Sequence, residues 1–198
     1  MAGAQGVVAA AAIGDDMRTR LITGAALALA LTWSCGGSVL AQQPTSPAPA
    51  VQPGRVTAED REFLAAAIRA GLAEVQLAGL ALERSQDVLV RGFAARLVRE
   101  HRAANRQLLS LAVAAGMMAP AQMDQRHQAL YQQLARLAGN AFDRRYMQGR
   151  VQDHEAAVAL FATEATRPRG PVDALAGQLL PMLRRHLELA RQVGRLVA

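Results

Sequence analysis

The sequence predicts an all-α protein: four long helices in a bundle, with an additional helix between the second and the third. Three observations lead there. Apolar residues recur in alternating steps of four and three along four long segments, the spacing of an inward-facing helix seam. Capping residues bracket those segments, and no run alternates apolar and polar residues long enough to make a strand.

Residues 1–41 read as a signal peptide. Met17, a second candidate start, is followed by Arg18 and Arg20, the apolar run Leu21 to Leu31, and small residues ending Val39-Leu40-Ala41 before Gln42. The run is too short and too poorly flanked to span a membrane, so a periplasmic or secreted location is expected. Cys35, the only cysteine, sits where a lipoprotein cysteine could sit. Thr32-Trp33-Ser34 departs from a small-and-aliphatic lipobox, which makes lipid anchoring the minor reading. Cleavage after Ala41 leaves no cysteine, and with it no disulfide, thiolate ligand or cysteine nucleophile. Residues 42–56, with prolines at 44, 47, 49 and 53, form an extended linker, and the bundle occupies 57–198.

The first helix opens at Thr57, with Asp60 placed for a reciprocal cap, and its stripe is Phe63, Ala67, Ala70, Glu74, Leu77, Ala81. Ser85 and Asp87 open the second, which carries Val90, Phe93, Leu97, His101, Ala104, Leu108 and closes at Gly116 and Pro120. An apolar-periodic segment at about 121–138, with Met123, Leu130, Leu134 and Leu137, follows as a crossover or a fifth helix. Asn140 and Asp143 open the third long helix, with Met147, Val151, His154, Val158, Phe161, Ala165. The stretch from Pro168 to Pro171 ends it, and Pro171 starts the fourth, with Leu175, Leu179, Met182, His186, Leu189, Val193.

The expected spans are near 58–84, 86–115, 141–166 and 171–197. Glu74, His101, His154 and His186 each lie within about three residues, or about 5 Å of rise, of a helix midpoint. A midpoint stays in place when a helix is turned end for end. The four side chains therefore belong to one layer of an antiparallel bundle, whatever its connectivity.

The net charge of +6 comes from arginine alone, since the sequence has no lysine, and no cluster of five or six arginines occurs. With two tyrosines and four phenylalanines, the latter mainly on core stripes, little is left to stack on bases. Nucleic-acid binding is not expected; a weak association with an anionic envelope or membrane surface is. Nothing indicates a particular protein partner.

Gly71-Leu72-Ala73-Glu74, Phe93-Ala94, Arg99-Glu100-His101, Phe142-Asp143 with Tyr146 and His154, then Leu180-Pro181 and His186-Leu187 follow one another in a recognisable order. Over about residues 57–196 this resembles the bacterial exported family catalogued as domain of unknown function 4142. The resemblance implies a ferritin-like bundle behind a signal peptide, often labelled outer-membrane or exported, and no established activity. Its recurring polar positions match Glu74, His101, Asp143, Tyr146, His154 and His186.

Three imidazoles and one carboxylate are ligands of the type that suits one zinc, iron or copper ion, so Glu74, His101, His154 and His186 are the candidate metal residues, with Glu74 as ligand or as support to the ligands. Ala67, Ala70, Gly71 and Ala78 would leave room beside the carboxylate. Di-iron bundles pair a glutamate with a histidine three residues later, whereas Val98, Val151 and Leu183 hold those places here, so a mononuclear site is the most the layer offers. The competing reading is an envelope protein, structural or interacting, whose Glu/His layer only fixes helix packing. Asp143 reads as a helix cap, Tyr146 as a stripe-edge residue bonding a neighbouring helix, and His127 as exposed. Glu100 and Glu155 are expected to point sideways from their histidine neighbours. Ser85 and Ser110 have no histidine three or four residues away, and no phosphate loop or paired general-acid carboxylates occur, so no catalytic residue is assigned and an enzyme is not the leading expectation.

Overall fold

The computed structural model describes residues 56–167 and 170–198, so the leader, Cys35 and nearly all of the linker lie outside the described residues. Five helices follow in order: α1 Ala58–Arg84, α2 Val88–Ala114, α3 Gln125–Leu134, α4 Gly139–Ala165 and α5 Pro171–Leu196. There is no strand among the described residues.

Local chemistry sets most boundaries. Thr57 and Asp60 form the expected reciprocal cap: the Asp60 N–H donates to Thr57 Oγ1 at 3.1 Å and the Thr57 N–H to Asp60 Oδ2 at 2.7 Å. Asp87 caps α2 by accepting from the N–H groups of Leu89 and Val90. At the other end of α2, Gly116 turns left-handed at φ 65°, and the N–H groups of Gly116 and Met117 reach back to Val113 O and Ala112 O. This is the glycine-terminated ending that only a residue without a Cβ adopts cheaply. Pro171 occupies the first turn of α5, where Asp173 accepts from the Gly170 N–H.

The expected start of α4 needs correction. The helix begins at Gly139 with Ala138 as its cap residue and no side-chain cap. Asn140 is already inside the first turn, so Asp143 lies too deep to cap anything and is buried instead.

Two apolar clusters give the topology. One joins Phe63 and Ile68 early in α1 to Leu108 late in α2, Phe161 late in α4 and Leu175 early in α5. The other joins Leu77 late in α1 to Phe93 early in α2, Phe142 and Met147 early in α4 and Val193 late in α5. Helices α1 and α5 therefore run one way and α2 and α4 the other. The chain leaving α2 at the first cluster must reach the second before α4 begins, and α3 carries it, with Leu130 and Leu134 packed in the second cluster. The intervening segment is thus both crossover and fifth helix, packed on α1 and α4, and the single long crossover is the ferritin-like arrangement. Between the clusters lies a layer of buried polar side chains.

Candidate metal centre

His101 from α2, His154 from α4 and His186 from α5 meet at mid-bundle, none more than 5% exposed. Their ring centroids lie 5.6 Å (His101 to His154), 5.2 Å (His101 to His186) and 5.4 Å (His154 to His186) apart, a nearly equilateral triangle. A point equidistant from the three lies about 3.1 Å from each centroid, close to the sum of a metal–nitrogen bond of about 2.0–2.1 Å and the half-width of an imidazole. One ring nitrogen from each histidine lies within 4.8 Å of the other two. The Nε2 atoms of His101 and His154 are 3.4 Å apart, too long for a good N–H···N bond and close to the spacing of two ligands on one ion.

Hydrogen bonds to the outer nitrogens set the tautomers. His154 donates from Nδ1 to the backbone oxygen of Arg150 at 2.9 Å, which leaves the Nε2 lone pair facing His101. His186 donates from Nε2 to Glu100 Oε2 at 2.8 Å, and its Nδ1 is buried without a hydrogen-bond partner among the described residues. A histidine anchored through one nitrogen by a carboxylate or carbonyl, with the other free, is arranged as metal-binding histidines are. Burial, against a weaker pull from Glu74, lowers the His101 pKa to about 3. Burial also lowers that of His186, although its bond to Glu100 works the other way.

Glu74 shares the layer but has other partners. Its Oε2 lies 2.8 Å from Arg150 Nη1, and its Oε1 lies 3.7 Å from His154 Nδ1, the nitrogen already donating to a carbonyl. Burial opposes ionisation of this carboxyl, yet Arg150, then His154 and His101, hold it below the usual glutamate range. Arg150 is fully buried; its Nη2 donates to Asp153 Oδ2 at 2.7 Å, and its guanidinium sits 5.3 Å from the centre of the Tyr146 ring. Asp153 Oδ1 in turn lies 2.7 Å from Arg126 and 3.5 Å from His127 on α3. The single predicted layer is therefore two adjoining parts: a histidine trio with free lone pairs, and an ion cluster built on Arg150.

Several side chains depart from their expected places. His127 is buried, not exposed, because α3 lays it between Asp124 and Asp153, which raise its pKa despite the opposing effect of burial. Glu100 does not merely point aside: it reaches across to α5 and holds His186. Glu155 does point away, to an exposed pair with Arg191. Tyr146 lies wholly inside, stacked 5.9 Å from Phe142, and its hydroxyl has no hydrogen-bond partner among the described residues. Of the small residues expected beside Glu74, Ala67, Ala70 and Gly71 line a cavity of about 120 Å³ next to the trio, whereas Ala78 is packed in the second cluster. Glu100, Arg150 and Asp153 are the neighbours of the trio and of Glu74 that stripe spacing missed. The one signal for Arg150 is the need of a buried carboxylate for a cation.

A family model described as "Domain of unknown function (DUF4142)" matches residues 45–193. The chain belongs to the DUF4142 family. No curated protein matches this DUF4142 chain. Among solved structures, its fold is similar to a DUF305 fragment from Deinococcus radiodurans, with TM-score 0.63 and 23% identity, covering 73% of this chain and 99% of that one. It is also similar to CopM in the Cu(II)-bound form, with TM-score 0.59 and 17% identity over 69% of this chain and 95% of that one. At such identities the likeness speaks for the DUF4142 fold alone.

Proposed function

We propose that this DUF4142 protein is an exported metal-binding protein that holds one copper ion through His101, His154 and His186. The observation that carries the reading is the triangle of three buried imidazoles, each with one ring nitrogen within 4.8 Å of the other two. Glu100 and the Arg150 carbonyl orient two of the ligands, and Glu100 adds a negative charge while Glu74 and Arg150 offset each other. An all-imidazole set suits copper and zinc, and copper(II) is the tightest-bound divalent ion of its row. The fold shared with CopM, solved in its Cu(II)-bound form, supports copper over zinc. Export rests on the leader-like residues 1–41.

Isothermal titration of the full chain with copper(II) and, separately, zinc tests this. The expected result is about one copper per chain, bound more tightly than zinc. Uptake below about 0.1 equivalent of either ion contradicts it.

The packing reading keeps one specific support, the Arg150 cluster. A fully buried guanidinium paired on two sides ties α1 to α4 and fixes their register, with or without a metal. Glu74 is assigned to that structural part.

A further inference from the structure

Directly beside the trio, one helical turn toward the first apolar cluster, lies the cavity of about 120 Å³. His101 and His154 form its top, Ala67, Ala70, Leu108 and Phe161 its apolar walls. The position follows from the topology: Asn105 is four residues beyond His101 on α2, and Gly71 is three before Glu74 on the antiparallel α1, about 4.5–6 Å along the axis. Asn105 also lines the cavity, is 7% exposed, and its Oδ1 has no hydrogen-bond partner among the described residues. It approaches α1 so closely that a Cβ on Gly71 would come within 1.9 Å of that oxygen. The Asn105 oxygen is therefore packed against α1, and the rest of its amide is the uncharged polar group that the cavity offers a ligand.

We infer that this cavity binds a small coordinating molecule, one end on the ion's open position and the other hydrogen-bonded to the Asn105 amide. This rests on the metal reading and gives that site its ligand class. Three protein ligands leave a fourth position open, and the cavity adjoins the two histidines that face each other. Its volume corresponds to about four water molecules, so it takes a ligand of about two to four heavy atoms. Apolar walls disfavour multiply charged species. Arg126 and His127 line the side under α3, and Arg126 is 61% exposed, which gives a route from solvent; Glu74 and Asp153 also line the cavity but are paired with Arg150 and Arg126, so the lining suits a neutral molecule or at most a monoanion drawn by the ion.

Azide is the probe, since it is linear, triatomic and monoanionic and gives a charge-transfer band on copper(II). The copper-loaded full chain is titrated with azide by absorbance, beside Asn105→Leu, which keeps the volume and removes the amide, and Ala70→Phe, which fills the chamber from a half-buried position. The expected result is a saturable band in the parent, weakened about three- to tenfold by Asn105→Leu and more by Ala70→Phe, with copper uptake unchanged. Copper uptake without saturable azide binding, or equal azide affinity in all three proteins, overturns the inference and leaves the metal reading intact. No copper uptake by the parent overturns the metal reading itself.

Discussion

Arg150 Nη1 lies 2.8 Å from Glu74 Oε2, joining α4 to α1 through an ion pair in which the arginine side chain is fully buried and the glutamate 7% exposed. Removing one member of such a pair leaves an uncompensated buried charge. Glu74→Gln should therefore destabilise the fold by about 3–5 kcal/mol in urea unfolding, while the double variant Glu74→Leu/Arg150→Met recovers much of that loss. Copper uptake per folded chain should survive Glu74→Gln, because the carboxylate is committed to Arg150. Loss of copper from a folded Glu74→Gln protein would show that Glu74 is a ligand.

In the proposed centre Glu100 acts only through His186. Its side chain is 27% exposed, so Glu100→Gln should fold normally. The amide presents a weaker, uncharged acceptor to His186 Nε2, and copper affinity should fall about 10- to 100-fold by competition with a chelator. Unchanged affinity would mean that the 2.8 Å bond does not orient the ligand.

Metal-free protein should lose stability on mild acidification. The His101 pKa is about 3 in the fold against 6.5 as the ordinary value, and His186 is lowered as well. Between these limits the unfolded chain binds protons that the fold refuses, so the stabilisation is complete above the unfolded pKa and declines as pH falls, by up to about 1.4 kcal/mol per pH unit for each histidine. His127, whose pKa is raised, works in the opposite sense, its contribution being lost as pH rises through its folded value. The urea midpoint should drop from about pH 7 to about pH 5, above the range where Glu74 and Glu100 titrate, and His101→Leu should flatten the slope. Equal slopes would contradict the burial of a neutral His101.

Gly71→Ala places a methyl group 1.9 Å from Asn105 Oδ1. It should cost about 1–3 kcal/mol by overpacking, and Asn105→Ala in the same chain should relieve most of that cost. Additive losses in thermal unfolding would show that the two sites do not touch.

The bundle was legible because helix seams and caps are local signals: Thr57, Asp87, Gly116 and Pro171 mark boundaries that the structure keeps. Midpoint position sets the three histidines at one level, since it depends on helix length and not on connectivity. What it could not supply was lateral position. Helix α4 is buried on two sides, along Met147 and His154 and also along Tyr146, Arg150 and Asp153, and a seam defined by apolar spacing records only the first. Arg150 was therefore hidden among the 22 basic residues, and Glu100 looked like a solvated neighbour of His101. The burial of His127 was equally illegible, because it depends on where the crossover lays α3.

The proposed centre requires that His101, His154 and His186 bind one ion together. Electron paramagnetic resonance of the full chain with one equivalent of copper(II), beside a variant with all three changed to leucine, tests it most directly. One copper species coupled to several imidazole nitrogens is expected in the parent and absent from the folded triple variant. The same nitrogen-coupled spectrum in both proteins would contradict it.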